Sequence, residues 1–192
     1  TLTLKNLTLK GGMRPTGGGG GSGIFVDSGA AASLTDCRII DCVNKSGEGG
    51  AVYTKGTLSL TRGSIGGTGS WEGNKAKDGG GIYVKEGSCT LIGTQIAWNY
   101  ADGGSGTGEG KGGGIYVDGE ASCTLDGVTM QNNRVKDGSP NKGKGSAVYV
   151  AKKTDKTPTL TLKGNVQIGT SDLNSNSICL GYAVNGSTIQ TA

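Results

Sequence analysis

Residues 79–101 read GGGIYVKEGSCTLIGTQIAWNYA, and residues 112–135 return nearly the same line as GGGIYVDGEASCTLDGVTMQNNRV. Setting the rest of the chain against this pair places a first strand residue at Ile24, Val52, Ile82, Ile115, Val148 and Ile178, in steps of 28, 30, 33, 33 and 30 residues. A period near 30 that varies by a few residues belongs to a solenoid. Each unit is too small to bury its apolar face alone and buries it against the next.

Outward from the template, three short strands recur per unit. The first holds Ile24-Phe25-Val26, Val52-Tyr53-Thr54, Ile82-Tyr83-Val84, Ile115-Tyr116-Val117, Val148-Tyr149-Val150 and Ile178-Cys179-Leu180. Alternation turns the outer members of each triplet inward and the middle one outward, and the following Lys55, Lys85 and Asp118 are expected in water. The second strand, typified by Leu58-Ser59-Leu60, Cys89-Thr90-Leu91 and Cys123-Thr124-Leu125, sets a solvent-facing hydroxyl between two inward apolar side chains. The third carries Cys37 and Ile39, Thr94 and Ile96, and Val128 and Met130 on its inner face.

Strands that never reverse within a coil and stack on like strands predict an all-β, right-handed parallel β-helix of about six rungs. The long, elastic coils argue against the left-handed kind built from even hexapeptides. Residues 1–192 read as a single β-helix domain, and since TLTLKNLTLKGG opens in mid-repeat, we expect a piece of a longer solenoid. Uncapped end coils would offer open strand edges for edge-to-edge association. Asn74, Asn99, Asn133 and Asn176 each close an aromatic- or aliphatic-x-x-Asn phrase, from Trp71, Ile96, Met130 and Leu173 respectively. Asn tolerates left-handed backbone angles and can bond the backbone of the neighbouring coil, so these are read as structural.

Composition narrows the function classes. With 40 glycines, three prolines, one phenylalanine and no histidine, the chain lacks the makings of a conventional compact core. The net charge of +4 is scattered, without the dense basic stripe and interleaved aromatics of a nucleic-acid face. No stretch of about 18 apolar residues occurs, so membrane attachment is expected only through regions outside this chain. The five cysteines form no CxxC and no metal-binding spacing. Cys89 and Cys123 share a repeat position with Ala32, Leu58 and Leu160, which favours buried thiols over a disulfide; the state of Cys37, Cys42 and Cys179 stays open.

Gly49-Gly50-Ala51-Val52 with Trp71-Glu72-Gly73-Asn74 resembles the paired GGA(I/L/V) and FxxN motifs of chlamydial-type polymorphic outer-membrane proteins, and Gly80-Gly81-Ile82 with Ile96-Ala97-Trp98-Asn99 is a looser copy. The likeness spans roughly residues 20–176, with Trp, Ile, Met and Leu where that motif has Phe. The broader likeness is to bacterial surface β-helix repeats. It implies an autotransporter passenger, extracellular on the bacterial outer membrane, acting in adhesion to a host or neighbouring-cell protein or glycan.

Two sets of residues are candidates for that recognition. One is the outward row Phe25, Tyr53, Tyr83, Tyr116 and Tyr149, readable as cross-strand stabilisation, as a binding strip, or as both. The other is the long glycine loops, with Asp102, Thr107, Glu109, Lys111, Asp137, Asn141, Lys142 and Lys144. Asp78, Asp102 and Asp137 stand before glycine at corresponding places and could stack carboxylates in the manner of a polysaccharide-cleaving β-helix. Turn chemistry alone accounts for them, and no irregular cluster of acids and bases singles out a site, so we expect no catalysis and no cofactor or metal. Residues 138–144 fit G-x-x-x-x-G-K, but Gly145 follows where Ser or Thr would hold Mg²⁺, and a strand comes next instead of a helix. Three N-x-S/T triplets, at Asn6, Asn44 and Asn185, are expected by chance in such a composition. A polysaccharide-cleaving β-helix enzyme, lyase or glycosidase-like, and a passive structural spacer are the two alternatives.

Overall fold

Every strand lies parallel to its counterpart one coil away, in four ladders that wrap a single apolar interior. The computed structural model describes residues 1–15, 20–104, 108–136, 145–151, 156–169 and 177–180, with the backbone of 188–191. The chain is a parallel β-solenoid of about five turns. Among the described residues the one helical element is the 3₁₀ turn Ser70–Glu72.

The three expected strands form sheets of six, seven and six members. The triplet strands pair as Ile82–Val52 and Ile82–Ile115, with Val148 and Ile178 continuing the row. In the second sheet Leu60, Leu91 and Leu125 stack in register, and so do Leu58, Cys89 and Cys123. Each of these six side chains is at most 1% exposed. Burying one such residue contributes about 1.5 to 3 kcal/mol, and only stacking on both sides achieves it. All five cysteines are free thiols. In the first coil, which has one neighbour, Leu2 and Met13 are 43% and 64% exposed.

A fourth ladder adds to the three. Two-residue strands Met13–Arg14, Val43–Asn44, Lys75–Ala76, Tyr100–Ala101 and Arg134–Val135 pair in sequence order. Elements this short carry no legible alternation, which is why the sequence pattern does not reveal them. The third sheet also has a member that the repeat alignment passed over: Ser64–Gly66, whose Ile65 stacks between Ile39 and Ile96. Trp71 is therefore not the counterpart of Ile96. It sits on an insertion between Ile65 and Asn74 and is 75% exposed.

The paired glycines ahead of the triplet strands have a steric cause. Gly49, Gly79, Gly112 and Gly145 have φ between 60° and 72°, and a Cβ on Gly50, Gly80 or Gly113 would come within 2.4 Å of backbone atoms. Coils approach there backbone to backbone, as in Gly50 N–H donating to Gly79 O and Gly80 N–H to Gly112 O.

The asparagines stack as expected. Asn74 Nδ2 donates to Asn99 Oδ1, and Asn99 Nδ2 to Asn133 Oδ1, each at 2.9 Å. Their second amide hydrogens go to the carbonyls of Ile39 and Ile65. The left-handed backbone belongs to the preceding residue, at Trp98 and Asn132, and not to the asparagine itself. Asn176 lies outside the described residues.

Candidate functional site

The outward aromatic row is in register but not in solvent. Ring centroids from Phe25 through Tyr53, Tyr83 and Tyr116 to Tyr149 are 5.6, 5.4, 4.5 and 5.1 Å apart. The rings cover one another's faces, so Tyr53, Tyr83 and Tyr149 are only 6–7% exposed and Tyr116 is half-buried. Only Phe25, which ends the column, is open. The exposed strip read from the sequence is corrected accordingly, because alternation sets the direction of a side chain and not what closes over it.

Asp118, expected in water, is instead buried beside this column. Its Oδ2 accepts from Tyr83 Oη at 3.1 Å and from Lys85 Nζ at 2.6 Å, while Gly119 N–H donates to Oδ1. Burial drives the phenols of Tyr83 and Tyr116 well above their ordinary range, and the nearby Asp118 charge adds to it. From Tyr53 to Tyr149 the column is a packed row of neutral phenols.

The loop candidates scatter. Asp102 pairs with Lys75 at 3.1 Å and accepts from Gly104 N–H. Lys111 donates its backbone N–H to Asp78 Oδ1, and its Nζ lies 5.7 Å from the Tyr149 ring centroid. Glu109 is half-buried. Thr107, Asp137, Asn141, Lys142 and Lys144 lie outside the described residues. Asp78 thus bonds the backbone of the next coil, and Asp102 pairs with Lys75 of the preceding coil as well as closing its own turn through Gly104 N–H. Burial raises the Asp78 carboxyl above its ordinary pKa. Among the described residues no group of three or more acids or thiols could hold a metal ion. Asn44 is buried, with its amide donating to the carbonyls of Gly20 and Glu48.

A site that the sequence reading did not select lies at the corner between the third sheet and the two-residue ladder. There a groove of about 590 Å³ gathers both tryptophans of the chain, Trp71 and Trp98, with Tyr100. It runs along the axis over successive coils, from Asp41 and Val43 to Asn132 and Arg134. Outward residues of the short ladder form one row: Val43, Lys75, Tyr100 and Arg134 in register. The turn residues Asp41, Trp98 and Asn132 form the other.

Trp98 is the irregular member of that second row. Its φ is 63°, matching 72° at Gly11 and 55° at Asp41 and Asn132. The turn demands a left-handed residue, which Gly, Asn and Asp supply readily and which costs other residues about 1–2 kcal/mol. A large aromatic kept there is the kind of local strain that gathers at functional sites.

Trp71 owes its place to the insertion. Glu72 folds back to accept from Thr68 N–H and Oγ1 at 2.8 and 3.1 Å, and Arg38 Nη2 approaches at 3.5 Å. These contacts, led by the Thr68 N–H, hold the Glu72 carboxyl below its ordinary pKa. The indole rests over Gly69, where a Cβ would lie 2.5 Å from the ring.

The cations of the groove are engaged. Lys75 Nζ lies 5.5 Å from the Tyr100 centroid besides pairing with Asp102, and the Arg134 guanidinium is 5.9 Å from the Trp98 ring. The legible signals were departures from the repeat: Trp98 in a Gly/Asn/Asp position, and a coil lengthened between Ile65 and Asn74. In comparisons with known proteins, no family model, curated protein or solved structure matched the chain.

Proposed function

We propose that this chain is a non-enzymatic recognition segment of a bacterial cell-surface protein, an adhesin-type β-solenoid that binds through the groove of Trp71, Trp98 and Tyr100. One observation carries the reading: both tryptophans depart from the repeat, one on an insertion and one in a strained turn, and both line the same groove. Aromatic side chains on rigid elements are favoured at interaction surfaces because they offer large contact area at low entropic cost. The likeness of the Gly-Gly-Ala and x-x-Asn phrases to autotransporter passenger repeats supports placing it at the cell surface. A solenoid suits such display, since each coil is held by its neighbours and length is added by local contacts alone.

The test is adhesion of a strain displaying the segment to host or neighbouring cells. Trp71→Ser and Trp98→Asn should reduce it while circular dichroism stays unchanged. Undiminished adhesion of both variants would make the segment a passive spacer, and release of new reducing ends from polysaccharide would make it an enzyme.

A further inference from the structure

We infer that the groove takes a neutral polysaccharide, laid parallel to the solenoid axis with successive sugar rings on Trp71 and Trp98. This rests on the groove being the recognition site and adds the class of its ligand.

The axial order of the lining is polar, aromatic, aromatic, polar: Asp41, Trp71, Trp98, Asn132 on four successive coils. Each coil advances about 4.8 Å, close to the length of one sugar ring, so the groove is about 14 Å long and fits about three sugars. Indole faces meet the apolar C–H face of a pyranose, and the carboxylate and amide at the two ends meet its hydroxyls. The volume is in the range of small-ligand clefts.

Charge argues for a neutral chain. Two cations line the groove, but Lys75 is already paired with Asp102, Arg134 lies against the Trp98 ring, and Asp41 adds a second carboxylate at the end of the groove away from Arg134. An acidic sugar would meet as much negative as positive charge. Backbone geometry argues against an extended peptide, which gains affinity by adding a strand to an open sheet edge. This groove crosses the strands, and the floor amides are in use: Lys75 N–H donates to Cys42 O, Tyr100 N–H to Asn74 O and Arg134 N–H to Asn99 O.

The experiment is native affinity electrophoresis of the purified chain in gels containing xylan, galactomannan, laminarin, hydroxyethyl cellulose, polygalacturonate or heparin. At least one neutral polymer should retard the protein, and the retardation should persist in about 1 M salt, where charge contacts are screened beyond about 3 Å. Trp71→Ser and Trp98→Asn should each weaken binding about tenfold. Gly69→Ala, which displaces the Trp71 indole without deleting it, should weaken it as well. Retardation by none of the neutral polymers, by the acidic ones alone, or equally in wild type and variants overturns the inference. Periodate oxidation of target-cell sugars separates the two readings. If the tryptophan variants lose adhesion but oxidised cells are still bound and no neutral polymer, including the periodate-resistant laminarin, retards the protein, the groove is the site and its ligand is not a glycan. If the variants keep adhesion, the site itself is wrong.

Discussion

Asn99 Oδ1 accepts both the side-chain and the main-chain N–H of Asn74, at 2.9 and 3.2 Å, directly behind the turn that holds Trp98. The amide that builds the solenoid corner therefore also fixes the floor of the groove. Asn99→Ala would strand the buried Asn74 amide and the Ile65 carbonyl together. We expect a loss of about 2–4 kcal/mol in urea unfolding, against less than about 0.5 kcal/mol for a change on the outer face such as Gln95→Ala.

Trp98 separates stability from binding. Trp98→Asn places a residue suited to left-handed backbone in a turn that already uses Asn132, so stability should stay level or rise by up to about 1 kcal/mol while binding falls. A large stability loss would show that the indole is retained for packing.

Tyr83 is a core residue in this structure. Tyr83→Phe removes one hydrogen bond to Asp118, which keeps Lys85 and Gly119 N–H, and should cost about 1–2 kcal/mol. Tyr83→Ser should cost about 3–5 kcal/mol, the scale of emptying a buried aromatic site. A loss near 1 kcal/mol for the serine variant would restore the exposed strip.

Glu72 gives the groove a pH dependence. Its folded-state pKa lies below the ordinary 4.5, so its contribution to the insertion is present above that value and is lost as pH falls through the folded pKa. Ligand affinity, read by tryptophan fluorescence, should drop in acid before circular dichroism changes, and Glu72→Gln should abolish that early step.

The thiols report the solenoid's opening. Burial raises the pKa of Cys42, and in Cys89 the contact with Cys123 and burial together do the same. An aromatic disulfide reagent should titrate the half-buried Cys179 quickly and the other four only as the coils open. Rapid labelling of Cys89 in the native state would contradict the stacked core.

By itself the sequence determined the parallel solenoid, its three longer strands, the inward ladders and the asparagine stack. Each of those follows from a residue type recurring at one position of a repeat, and a repeat that must bury its own apolar stripe has few ways to do so. Tertiary structure alone decided which outward residues reach solvent. Tyr83 and Asp118 carry surface-like patterns yet are buried, since coverage depends on the rings stacked above and below and on Lys85 one coil away. The groove was hidden for the same reason. Trp71 and Trp98 are 27 residues apart in the chain and meet only because an insertion in one coil and a left-handed turn in the next bring them to the same corner.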